Sequence, residues 1–255
     1  MDLLAMIVPH IRAAGTEECK HYLRGENRPQ IPQRLKQTFA LPGAIPVTAV
    51  PVETTGFPIE ETDCIQWFDH MERFTKEHFG TEIILRDKFP LPARLPWKHV
   101  LPIFDPGFTN RDMVDKALKS RGLSVYEGTD VMKYCGSGTF DTPRLYLVER
   151  SITPTPATMG LPPKFAKHWF AGRQTHPLHL RGYGIGTSLW RGVEEQLLDS
   201  GPTRTWFPEN ALPDGRVAYG FFSPTYGDVW FRDYDAGHEA DDMAFREAIV
   251  LSLKP

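Results

Sequence analysis

Between residues 203 and 253, short apolar and aromatic runs alternate with Pro, Gly, Asn and Asp turns, a spacing that antiparallel sheet accommodates. Thr205-Trp206-Phe207 leads into a turn through Asn210-Ala211-Leu212-Pro213-Asp214-Gly215, and a second strand is expected over residues 216–222. Ser223-Pro224-Thr225-Tyr226-Gly227-Asp228 turns the chain again before Val229-Trp230-Phe231-Arg232. After an acidic loop, residues 248–253 supply a last strand.

Upstream, helices are punctuated by their ends. Asp63 with Gln66 three residues on has the form of a capping box, Cys64, Trp67, Phe68, Met71, Phe74 and Phe79 keep a helical stripe, and Gly80 stands where a terminating glycine belongs. The spacing predicts a helix over 63–79, with a strand over 81–85 directly behind it. A second helix is expected over 109–120, opened by Thr109 with Asp112 at the capping-box position and closed by Gly122. Pro162 and Pro163 open a short helix with Phe165, Trp169 and Phe170 inward, and Leu189, Trp190, Val193 and Leu197 predict another over 188–198. Residues 123–126 and 145–148 read as strands.

Proline takes 23 of 255 positions, well above an average usage of about 5%, so elements are short and connections long. Six prolines between Pro29 and Pro58 mark an extended connector or edge strand. These features predict an α+β protein: short helices packed on a mainly antiparallel sheet concentrated in the C-terminal third. They divide it into an N-terminal helical and proline-rich region (1–88) and an α+β domain (89–255).

A formal net charge of −3 and a pI near 6.3 argue against binding a phosphate backbone, so nucleic acid is not an expected partner. Cys19, Cys64 and Cys135 are far apart and odd in number, which fits reduced thiols rather than a disulfide framework. Leu3 to Val8 is too short for a signal core, and no run approaches the roughly 18 apolar residues of a membrane span. A cytoplasmic protein without membrane association is the expectation.

The chemically suggestive residues form several small sets. Cys135, in a Gly-Ser-Gly turn, and Ser137 are the candidate nucleophiles, although Cys135 stands where a nucleophile elbow needs its first glycine. His168, His176 and His179 invite a zinc reading, but His176 and His179 point to opposite faces if extended. His70 and His78 read as helix-surface residues. Gly182, Gly184 and Gly186 fail the dinucleotide fingerprint. Asp233, Asp235, Glu239 and Asp241 alternate in one loop, the pattern a calcium site uses, yet without the glycine and glutamate positions of an EF-hand. Pairing with Arg216, Arg232 or Arg246 relieves their repulsion more economically than calcium, so no metal or cofactor is expected. Trp206, Tyr219 and Trp230 are the candidate ligand-binding residues, with Phe221 and Tyr234 nearby.

Several phrases also stand together: Phe104-Asp105-Pro106-Gly107 before Thr109-Asn110-Arg111-Asp112, Gly122-Leu123-Ser124-Val125-Tyr126, Val148-Glu149-Arg150-Ser151, Leu180-Arg181-Gly182-Tyr183, and Thr205-Trp206-Phe207-Pro208-Glu209-Asn210. They resemble a group of uncharacterised, hypothetical proteins from uncultivated bacteria with small genomes. The resemblance spans roughly residues 100–255 and implies a compact family; it carries no activity, cofactor or site. The turns, aromatic hairpin and closing strand are similar in style to C-type-lectin-like domains.

The absence of a catalytic signature and the density of aromatic residues in the C-terminal sheet predict a non-enzymatic module that binds a small molecule or a protein. The alternative is a hydrolase-like enzyme with Cys135 or Ser137 as nucleophile.

Overall fold

In the computed structural model, the turns read from the C-terminal sequence connect three long strands, and these form the middle of one of two larger sheets. The structure describes residues 56–107, 111–127, 142–212 and 214–254, all within one compact unit, Glu53–Pro255. The first strands are β1 (Phe57–Pro58), β2 (Arg94–Leu95), β3 (Val100–Asp105), β4 (Ser124–Glu127), β5 (Arg144–Glu149) and β6 (His176–Pro177). They are followed by β7 (Arg204–Ala211), β8 (Arg216–Ser223), β9 (Asp228–Asp235), β10 (Met243–Phe245) and β11 (Glu247–Ser252). The helices are α1 (Cys64–Phe79), α2 (Leu85–Lys88), α3 (Arg111–Lys119), α4 (Ala166–Trp169) and α5 (Leu180–Glu194).

The larger sheet has the order β10-β7-β8-β9-β4 and the smaller β3-β5-β11-β6, while β1 and β2 pair separately. Pairing is antiparallel except at the two edges of the larger sheet, where β10 runs parallel to β7 and β4 parallel to β9. The protein is therefore α+β with a mainly antiparallel sheet structure. Pro102 is tolerated in β3 because β3 is an edge strand, where a missing N–H need not break a ladder. The chain passes between the sheets at Arg246, since β10 belongs to one and β11 to the other.

The two well-marked helices form where their sequences place them, and Gly80 (φ 66°) and Gly122 (φ 73°) terminate them in the left-handed region. Thr109 lies outside the described residues. The Asp63 side chain does not cap its own helix. It accepts instead from the Val100 N–H at 2.7 Å and pairs with His99 and Arg150, tying the start of α1 to β3. The apolar stripe of α1 lies in the same core as β3, β5 and α5, so a boundary near residue 88 passes through one continuous apolar cluster. Residues 81–84 are not a strand: α2 follows, its first N–H bonded to Glu72. Phe165 faces outward at 44% exposure, because a 3-10 turn over Pro163–Phe165 precedes α4 and shifts the expected register.

The largest departure is α5. It begins eight residues before the expected 188 and contains Gly182, Gly184 and Gly186. Every residue from Leu180 to Trp190 is buried, so the helix presents no polar face. On one side Gly186 comes so close to β3 that a Cβ there would stand 2.5 Å from Ile103 Cδ1. On the other, Tyr183 meets Phe207 and Phe231 edge-on at 5.3 and 6.0 Å. The glycines let this helix lie against both sheets, a packing gain that offsets the roughly 0.5–1 kcal/mol each costs relative to alanine.

Candidate aromatic binding face

Alternation assigns the two faces of the larger sheet. Phe207, Ala218, Gly220 and Phe231 point toward α5, whereas Trp206, Tyr219, Phe221, Trp230 and Tyr126 share the outer face, in register across β7, β8, β9 and β4. Rings run across that face in sequence. Trp206 meets Tyr219 edge-on at 5.4 Å, Tyr219 stacks on Phe221 at 6.2 Å, Phe221 reaches Trp230 at 5.7 Å, and Trp230 lies 4.2 Å from Tyr126. Tyr226, from the turn between β8 and β9, adds a ring 5.5 Å from Trp230.

The two ends of the row differ. Trp206 (0% exposed) and Tyr219 (3%) are buried in one cluster with Ala166 and with Met243 and Phe245 of the neighbouring strand β10, and Leu161 and Phe170 pack against it. These two expected ligand-binding residues are thus core residues, covered by the segment that folds back over the sheet between β5 and β6. Trp230, the third, is half-buried at the open end, beside Tyr126 (42%) and Tyr226 (68%). Tyr126 and Tyr226 were the residues missed. The signal was available for Tyr226, an aromatic at a hairpin turn, and absent for Tyr126, whose strand joins the sheet by a parallel pairing distant in sequence.

Two guanidinium groups lie on this face. Arg232 Cζ sits 4.7 Å from the Trp230 ring centre and 5.7 Å from Tyr126, and Arg204 Cζ 5.0 Å from Phe221. Arg204 is spent on Asp242 at 3.1 Å. Arg232 has no carboxylate partner among the described residues.

Of the three arginines expected to relieve the acidic loop, Arg216 does so. Arg216 pairs with Asp233 at 2.9 Å and with Asp214 at 2.6 Å, and Asp235 Oδ1 accepts from the Gly237 N–H. Arg246 turns away from the loop altogether, because its guanidinium is buried against Asp199 at 2.9 Å. Among the described residues, no group of three His, Cys, Asp or Glu is placed to hold a metal ion.

The histidines do not converge. His168 and His176 are exposed, while His179 is 1% exposed and caps α5, its Nδ1 accepting from the Arg181 N–H at 3.2 Å. Burial, with Arg181 and Arg144 nearby, pushes His179 down to about 3. Cys135 and Ser137 lie outside the described residues. Cys64 is buried on α1, and burial pushes its thiol up to about 12, which leaves it inert. No helix among the described residues is long and apolar enough to cross a membrane.

The class defined by this geometry is an α+β fold with an aromatic sheet face, half roofed and half open. No family model, curated protein or solved structure matches the chain.

Proposed function

We propose that the chain is a protein-interaction module whose docking face is the open half of the aromatic row, centred on Trp230. The observation that carries this reading is the change along one row of rings: the same outer face is covered at Trp206 and Tyr219 and open at Trp230, Tyr126 and Tyr226. Trp, Tyr and Arg are the side chains that dominate binding energy at protein interfaces, and this patch consists of them. They offer large apolar area with few rotatable bonds, so little entropy is lost when a partner orders them.

Arg232 gives the partner its chemistry. A guanidinium held over two rings, without a carboxylate partner among the described residues, matches an aspartate or glutamate on the incoming chain. The fitting partner is a protein segment that places an apolar or aromatic anchor beside an acidic residue.

The test is a screen of synthetic peptides with the purified chain, in which acidic peptides with and without Trp, Phe or Pro are compared with neutral glycans. Selection of acidic, apolar-anchored peptides, lost in Trp230→Ala, is the expected outcome. Binding of glycans instead, or peptide binding indifferent to Trp230→Ala, would refute the reading.

A further inference from the structure

A groove of about 350 Å³ opens where α4, β6 and an irregular part of β7 meet. Its origin is local. Pro208 has no N–H to give the ladder, and the pairing of β7 with β8 shifts register between Phe207 and Ala211. Pro208 and Glu209 are thereby turned out of the regular sheet and line the groove, with Phe170 and Pro177 supplying further apolar wall. The volume falls within the range of small-molecule sites, roughly 300–1,000 Å³.

Three ionisable side chains also line it, each from a different element: Lys167 on α4, His176 on β6 and Glu209 on β7. None of the three makes an ion pair or side-chain hydrogen bond among the described residues. Glu247, opposite Pro177 on the neighbouring strand, is spent: it accepts from the Trp169 indole at 2.8 Å. Glu209 is exposed at the rim, yet the surrounding protein desolvates its carboxyl and raises it above the usual carboxylate value, against the opposing pull of His176 and Arg144. Two basic groups and one acid, none held in an ion pair among the described residues, stand around an apolar wall.

The geometry points to a binding site for a free α-amino acid with an apolar side chain. Lys167 and His176 take its carboxylate, Glu209 takes its ammonium group, and its side chain rests on Phe170, Pro177 and Pro208. A zwitterion is the ligand that satisfies both signs of charge at once, whereas a simple anion or cation leaves one set facing a like charge or nothing.

Isothermal titration of the full chain with L-leucine and L-phenylalanine, beside leucinamide and N-acetyl-leucine, tests this. The free amino acids are expected to bind saturably, and blocking either end to weaken binding by about tenfold or more, the effect of losing one charged contact. Glu209→Gln removes the penalty for N-acetylation, and Lys167→Met removes the penalty for the amide. The derivative series on the unaltered chain decides the matter even if a variant fails to fold. Absence of saturable binding at millimolar leucine, or N-acetyl-leucine binding as tightly as leucine, would overturn the assignment.

Discussion

His179 shows how much one buried side chain contributes when it is tied to a helix end. Its Nδ1 is committed as an acceptor to the Arg181 N–H, so the ring is neutral and its remaining proton belongs on Nε2. Protonation would place a second proton on Nδ1, abolish the cap and set an imidazolium beside Arg181 and Arg144. The folded value near 3 lies below the 6.5 of an ordinary histidine, so the unfolded chain binds the extra proton first. Stability is full above 6.5 and falls as pH drops toward 3, by about 1.4 kcal/mol per pH unit from this group. His179→Asn keeps an oxygen acceptor at the cap and cannot titrate. Urea unfolding between pH 7 and pH 4 is expected to show a shallower loss of stability in His179→Asn; parallel curves would contradict it. The same scale explains a limit of reading residues from sequence. The sequence marks Trp206, Tyr219 and Trp230 alike as aromatic strand residues, but their neighbours in the fold, distant in sequence, decide which of them solvent reaches.

At the scale of elements, legibility followed local chemistry. Helices α1 and α3 were readable because an apolar stripe, a polar face and a terminal glycine all agree there. Asp63 was half readable: it sits at the start of α1 as expected, but the Val100 N–H and Arg150 recruit its carboxylate. Those contacts outweigh the raising effect of its burial and hold it below the usual carboxylate value. The first half of α5 was hidden because residues 180–190 are buried on every side and show no amphipathic period, and their glycines imitate a loop. The parallel pairings of β4 and β10 leave no local signal. Substitution at Gly184 tests the packing account. A Cβ there would stand 2.5 Å from Val114 Cγ1, and a buried valine in a helix has little rotamer freedom to yield. The gain of about 1 kcal/mol in helix propensity is then outweighed by overpacking of up to about 3 kcal/mol. Gly184→Ala is expected to lower the melting temperature by a few degrees. Gly201→Ala, where nothing lies within 4 Å, serves as the neutral control. An unchanged or raised melting temperature in Gly184→Ala would mean that the close approach does not restrict the helix.

On the scale of the whole molecule, the two larger sheets are joined through Arg246, the residue between β10 and β11. Its guanidinium donates to the Ser151 and Ile152 carbonyls and pairs with Asp199, whose other oxygen accepts from Thr205 at 2.6 Å. Both partners are almost fully buried. Burial raises the Asp199 carboxyl, while Arg246 acts in the opposite direction. Arg246→Met strands Asp199 without its cation, and a loss of about 3–5 kcal/mol by urea unfolding is expected. Adding Asp199→Asn removes the stranded charge, tolerates the left-handed backbone at that position (φ 53°) and restores part of the loss. A cost below about 1 kcal/mol for Arg246→Met would show that the sheets are held by their apolar contacts alone.

The central claim is that this fold presents the open half of its aromatic row to a protein partner. The most direct measurement is titration of the best acidic, apolar-anchored peptide against the unaltered chain, Trp230→Ala and Arg232→Gln, with thermal unfolding of each recorded in parallel. Trp230→Ala is expected to weaken binding about thirtyfold, the loss of a hot spot worth about 2 kcal/mol. Arg232→Gln is expected to weaken binding less and to reduce its dependence on salt. Both variants should unfold close to the unaltered chain, since Trp230 and Arg232 lie outside the two buried cores. Undiminished affinity in Trp230→Ala with an intact fold would contradict the account.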